Sequence, residues 1–414
     1  MSIHLYALGS NSSGQLGIGN QEDTDTPRAC KFPTELGISS TLTSKIRKVV
    51  AGGNHTLCLC EDGSVYGAGD QGCIQGNSSV GVGEGEGTEI SSYFTRVTWM
   101  EGNDIVDTFM DVSASWSASL YMTVPHIQNG QSIRPGKIFA CGKGDKGELG
   151  LGKGVIETLH PRLVAIFGGD SSLEVSHKGN HVPFIPYHLS GLWSSMANTV
   201  TCSSAGAHVY GWGACRKGQL GASVIDEKII WQPREMAESD IFKGEEIDSI
   251  SQICMGRDFV LLNGIFLTLT GLLKKHWRRL GSKFSSKDQD AIQRLLAEDK
   301  IPGPVVQFSS WSNIYFLNKS AGTVSAIGRD DHGQLPPQTL PKLTTMNAGS
   351  EHCVGLTRQG QAVAWGWGEH GNCGSLTDET GHGWRTLNIP KEGPRKIVGV
   401  GAGCATTFIW TITV

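Results

Sequence analysis

One short pattern returns along the whole length of this chain: a short strand, a glycine, a polar link, a second glycine, and an amide or acidic side chain. It reads YALGSNSSGQLGIG at 6–19, FACGKGDKGELGLG at 139–152 and YGWGACRKGQLGAS at 210–223. Weaker copies are YGAGDQGCIQGN at 66–77, SAIGRDDHGQLPPQ at 325–338 and AWGWGEHGNCGSL at 364–376. A repeat of this size cannot bury its own apolar face and must stack on its neighbours. The pattern places function on the surface of an array, not in a single cleft.

A second pattern runs out of phase with the first and fixes the number of units. β-rich stretches with small residues at their start lie at 49–63, 112–124, 193–206, 253–264, 306–318, 346–360 and 398–414. They read as seven inner hairpins, six of them followed by a clear Gly-rich segment once the N-terminal copy is assigned to the last. The seventh slot, NGIFLTLTGLL at 263–273, has lost the signature. The chain starts in a strand, Ile3 to Leu8, and stops in one, Phe408 to Val414. Pairing the two would complete one unit and remove two sheet edges that invite aggregation.

These features predict an all-β fold: a seven-bladed β-propeller closed by pairing of the N- and C-terminal strands, one domain over 1–414. Composition agrees, with 56 glycines in 414 residues, about twice the average share. Positions such as Gly9 and Gly14, or Gly213 and Gly218, are expected at φ > 0.

Between the units lie insertions. The stretch 81–89 (GVGEGEGTE) reads as an acidic loop, and 124–137 and 153–188 as long surface loops. At 274–303 a loop and one short helix are expected. Ser286 to Gln289 forms a capping box there, and Ala291, Ile292, Leu295 and Leu296 give an apolar face before Pro302.

A net charge of −4 and a pI near 6.4 argue against bulk affinity for nucleic acid or anionic membrane. No stretch reaches 18 apolar residues, and the first apolar run is too short for a signal peptide. Eleven cysteines, scattered through strand patterns, fit a reducing compartment. A cytoplasmic and nuclear protein is expected.

Chemistry native to the chain is thin. Cys58 and Cys60 share a sheet face and read as two core thiols better than as metal ligands. His126, His160, His177, His181 and His188 match no metal spacing. The neighbours in Asn54-His55 and Glu351-His352 point to opposite faces of a strand, so both histidines read as hydrogen-bonding between blades. No nucleophile elbow or phosphate loop is present. The expectation is no catalytic residue, no cofactor and no metal.

A partner site is more legible. The turn entering each inner hairpin occupies an equivalent place in every unit. Aligned by sequence, these turns give Asn54, Trp116, Ala197, Arg257, Trp311, Glu351 and Cys404. Trp and Arg are enriched in binding hot spots, so Trp311 and Arg257 lead the candidates, with Glu351, Trp116 and Asn54. The alternative is that Trp116 and Trp311 plug a channel mouth. The run Lys274-Lys275-His276-Trp277-Arg278-Arg279 reads as a solvated loop, with direct contact to tRNA as the competing reading.

The repeats resemble those of the regulator of chromosome condensation family, whose members are seven-bladed propellers with this Gly-rich turn. Three segments, CMGRDF at 254–259, GWGEHGNCG at 366–374 and GCATTFIW at 403–410, are similar to a fungal group within it, the alpha-tubulin suppressor or killer-toxin-insensitivity propellers. That resemblance adds Glu369 and His370 to the candidate site. It implies a non-enzymatic regulatory scaffold in a heterodimer with the small zinc-binding, electron-carrying protein of diphthamide biosynthesis. The heterodimer would support diphthamide synthesis on elongation factor 2 and Elongator-dependent modification of tRNA wobble uridines. The alternative is the family's namesake activity, nucleotide exchange on a Ran-type small GTPase, which would be expected to come with a basic N-terminal tail.

Overall fold

Each hairpin pattern folds into the first two strands of an antiparallel sheet, and each Gly-rich copy starts within the third and runs on into the loop after it. The computed structural model describes residues 2–34, 37–74, 90–128, 131–134, 136–166, 175–177, 180–182, 189–203, 208–241, 249–267, 273–281, 304–375, 383–390 and 393–414. Within them the chain forms two compact units. One is Met1–Gln71 with Gly87–Val97 and Lys283–Val414; the other is Gly72–Glu86 with Thr98–Ser282.

The first unit carries four blade sheets. Blade 1 pairs Ile46–Ala51, His55–Cys60, Val65–Asp70 and Ile90–Arg96 in that order. Blade 5 holds Val305–Ser309, Ile314–Asn318 and Val324–Ile327, and blade 6 holds Leu343–Ala348, His352–Thr357, Ala362–Gly366 and Arg385–Leu387. Blade 7 joins the ends of the chain: Arg395–Ala402, Thr406–Thr413, Ile3–Gly9 and Thr24–Ala29. The pairing expected from the sequence runs without interruption from Ile3↔Ile412 to Gly9↔Thr406. Every residue of Ile3–Gly9 is buried, and each large apolar side chain covered this way contributes about 1.5–3 kcal/mol.

Blades 2, 3 and 4 form the second unit. They begin with Phe109–Ala114, Leu189–Ser194 and Ser249–Met255. Its core is one cluster that includes Leu120, Val200, Trp212, Val260 and Leu280.

Blades 4 and 5 each have three strands among the described residues. Where blades 1, 2, 3, 6 and 7 form a fourth, blade 5 carries Pro336, Pro337 and Pro341, which cannot donate to a ladder.

Three insertions differ from expectation. Residues 274–281 are not loop: Leu273–Gly281 is the third strand of blade 4, paired from Leu267↔Leu273 to Phe259↔Gly281. Leu280 is buried in the core and Gly281 takes φ +109, so this strand ends on the repeat's glycine although its signature is gone. The short helix expected between Ser286 and Pro302 lies outside the described residues, as does the acidic stretch 81–89. The regions read as loops at 124–137 and 153–188 contain two short hairpins, His126–Gln128 with Gln131–Arg134 and Val175–His177 with Asn180–Val182, and the fourth strand of blade 2, Glu157–Val164. Within the described residues no helix is long and apolar enough to cross a membrane.

Candidate partner-binding site

Seven four-residue turns join the first two strands of the blades, and backbone hydrogen bonds fix their alignment. In each, the first residue's N–H donates to the fourth residue's carbonyl: Gly52 to His55, Ser115 to Ala118, Ser195 to Asn198, Gly256 to Phe259, Ser310 to Asn313, Gly349 to His352 and Gly403 to Thr406, all at 2.8–3.0 Å. The second positions are then Gly53, Trp116, Met196, Arg257, Trp311, Ser350 and Cys404. The third are Asn54, Ser117, Ala197, Asp258, Ser312, Glu351 and Ala405. The sequence alignment was therefore out of step by one at three turns, where Asn54, Ala197 and Glu351 stand one residue too late. It also missed Met196.

The fourth turn position is buried in every blade and pairs with the first glycine of the Gly-rich segment, as in His55↔Gly69 and Asn198↔Gly213. Gly213 takes φ +99, and a Cβ there would run into the carbonyl oxygen of Ala197. The same carbonyl accepts the N–H of Ala214 at 2.8 Å. Glycine is demanded by this close approach of turn and strand. Consequently the turn and the Gly-rich loop of a blade lie at the same end of its sheet.

Side chains then close the Gly-rich loops. Gln15, Glu148, Gln219 and Gln334 each accept the backbone N–H two residues earlier, at 2.8–2.9 Å. Burial pushes the Glu148 carboxyl up, because a charge is disfavoured where its relatives carry a neutral amide.

In the first unit, these loops and turns build a polar and aromatic cluster. Glu351, only 7% exposed, accepts the Gln334 side-chain amide at 3.1 Å and lies 3.8 Å from the Arg329 guanidinium. Gln334 also donates to Asp331, at 3.2 Å. Arg329 pairs with Asp331 and holds that carboxyl below its ordinary range. His332 stacks on Trp367, and the Trp367 N–H donates to the Glu351 carbonyl at 3.0 Å. Trp311 is half-buried beside them in sequence register, its N–H donating to Ser350 at 3.0 Å. Glu369 and His370 are exposed, with His370 Nδ1 3.3 Å from Asp23. Asn54 is exposed at its own turn.

Trp116 and Arg257 belong to the second unit. Trp116 is 40% exposed and its N–H donates to the Met196 carbonyl at 3.1 Å. Arg257 is exposed and meets Asp258 at 3.4 Å through Nε. The sequence candidates thus divide between the units, Trp311, Glu351, Glu369, His370 and Asn54 on one and Trp116 and Arg257 on the other. Arg329, Asp331 and Trp367 were missed. The signal that could have found them is position, since Asp331-His332 and Glu369-His370 occupy the same places in successive repeats.

His55 and His352 take the same turn position and are fully buried. His352 Nε2 lies 2.8 Å from Thr407 Oγ1 on blade 7, the inter-blade bond expected from the sequence. His55 departs from it: neither ring nitrogen has a hydrogen-bond partner among the described residues. Burial lowers both imidazoles to about 4. Cys58 and Cys60 are buried in the core of the first unit, and among the described residues no group of three or more His, Cys, Asp or Glu could hold a metal.

Two family models of the regulator of chromosome condensation (RCC1) repeat match the chain, one at 4–59 and 135–182, the other at 46–75 and 344–372. Over those segments the chain is similar to the RCC1 repeat. Its relatives include an RCC1 repeat-containing protein of Schizosaccharomyces pombe, 25% identical over 98% of both chains. Another is the secretion-regulating guanine nucleotide exchange factor of Mus musculus, 23% identical over 96% of this chain and 82% of that one. Among solved structures, Prp20p of Saccharomyces cerevisiae covers all of this chain, and 92% of its own, at a TM-score of 0.66 and 18% identity. With seven blade sheets in hand, that likeness establishes the fold class as a seven-bladed β-propeller.

Proposed function

We propose that this chain is a non-enzymatic regulatory scaffold that forms a heterodimer with the small zinc-binding electron carrier of diphthamide biosynthesis, in cytoplasm and nucleus. Electron-carrying chemistry would belong to the partner's metal, and this chain would supply surface. The heterodimer would support diphthamide synthesis on elongation factor 2 and Elongator-dependent modification of wobble uridines. One observation carries the reading. The three segments that resemble the alpha-tubulin suppressor propellers, 254–259, 366–374 and 403–410, each fall at the turn end of a blade, where exposed Arg257, Trp367, Glu369 and His370 stand. At Arg257 a structural role alone would not require the side chain, because its turn is closed by a backbone bond.

Calorimetric titration of the full chain with the zinc-loaded partner tests it. One-to-one binding is expected, weakened at least about tenfold by Trp311→Ala. No binding at micromolar concentrations overturns the heterodimer.

Nucleotide exchange on a small GTPase is the second reading, favoured by the full-length likeness to the mouse exchange factor. Release of labelled GDP from a Ran-type GTPase, accelerated by catalytic amounts of this chain, would select it over the scaffold.

A further inference from the structure

Three consecutive turns of the second unit carry Trp116, Met196 and Arg257 at the same second position, and nothing in the turn asks for them. The closing bonds are backbone to backbone, and Gly53, Ser350 and Cys404 serve equally well at the same position elsewhere. Yet Trp116 is 40% exposed, Met196 is half-buried and Arg257 is exposed. The Trp116 N–H to Met196 carbonyl bond holds two of the three turns together. Aromatic residues, Met and Arg are the types enriched at protein interfaces. Met adapts its shape to an apolar partner surface.

We propose that Trp116, Met196 and Arg257 form a docking surface for a protein partner that presents a carboxylate flanked by apolar side chains. The charge argument fixes the chemistry. Asp258 takes the Nε edge of Arg257 at 3.4 Å, and among the described residues no bond is made by its two Nη groups. That edge is a planar fork matched to a carboxylate, which a lysine would not reproduce. Trp116 and Met196, at the same position of the two preceding turns, supply the apolar contact.

The inference rests on the scaffold reading, and the zinc-loaded diphthamide-pathway protein is the probe. Trp116→Ala is expected to weaken its binding to the full chain at least about tenfold. Arg257→Gln should weaken it and also flatten the salt dependence of the association rate, with Arg257→Lys recovering the salt dependence but not the affinity. Thermal unfolding of the Arg257 variants should match wild type, since that side chain is exposed, and the Trp116 variant should remain folded at the temperature of the titration. Wild-type affinity in Trp116→Ala and Arg257→Gln overturns the docking surface and leaves the heterodimer standing. Absence of binding by the wild-type chain overturns the heterodimer and this surface with it.

Discussion

The imidazole of His332 lies flat on the indole of Trp367, with ring centroids 4.4 Å apart and planes 16° apart. Each belongs to a Gly-rich loop: His332 stands four residues after Gly328, and Trp367 one after Gly366. The stack therefore joins blade 5 to blade 6 at their turn ends. His370, the equivalent of His332 in the next repeat, reaches Asp23 in the loop of blade 7. One loop position thus links two successive pairs of blades, by stacking in one case and by a polar contact in the other.

A double-mutant cycle on His332→Ala and Trp367→Ala, read by urea unfolding, should give a coupling of about 0.5–1.5 kcal/mol, the range for ring pairs. Strictly additive losses would mean that the stack carries no energy.

Acid should destabilise the fold through His55 and His352. Their folded pKa is about 4 against about 6.5 unfolded, so the unfolded chain binds more protons between those values. Stability is then fully present above about pH 6.5 and is lost as pH falls toward 4, by up to about 3 kcal/mol for each imidazole. Asparagine already holds this turn position at Asn198 and Asn313. His55→Asn with His352→Asn should flatten the difference in unfolding free energy between pH 7.5 and 4.5; an unchanged slope would place the acid sensitivity elsewhere.

Glu148→Gln is expected to stabilise. It keeps the acceptor for the Lys146 N–H, matches Gln15, Gln219 and Gln334, and removes a carboxylate that burial disfavours. A gain of about 0.5–2 kcal/mol, the usual yield of restoring a consensus residue, should appear as a higher Tm at neutral pH. Because the folded carboxyl titrates above its unfolded value, the gain should shrink on acidification. A lower Tm would show that the negative charge itself is needed.

Gly213→Ala should be among the most harmful single-methyl changes, costing at least about 1–3 kcal/mol in backbone strain before the collision with the Ala197 carbonyl is counted. Gly154, at φ +87 with open space around its Cβ position, supplies the control. Its alanine variant carries the strain without the clash and should lose less in denaturant midpoint. Equal losses would show that backbone conformation alone sets the demand for glycine.

The blade count and the joining of the two chain ends were legible in the sequence, and so was the left-handed backbone at Gly9, Gly14, Gly213 and Gly218, found at φ +115, +71, +99 and +76. Each depends on the local backbone or on a period repeated often enough to outweigh one bad copy. Blade 4 marks the limit. Its strand Leu273–Gly281 keeps only the terminal glycine of the pattern, and its basic residues read as a loop because polarity hides a strand that is held by its ladder to Phe259–Leu267.

At the candidate site the division is sharper. The sequence by itself determined that seven turns exist and that Trp116, Arg257 and Trp311 share one place in them, since flanking small residues and strand patterns bracket each turn. Only the tertiary structure decided that Met196 belongs with them and that Glu351 does not. It also brought Gln334 to Glu351 and His332 to Trp367. Turn register is fixed by a hydrogen bond between the first and fourth residues, and contacts between repeats are fixed by the stacking of blades. Neither leaves a mark on the identity of the residues in between.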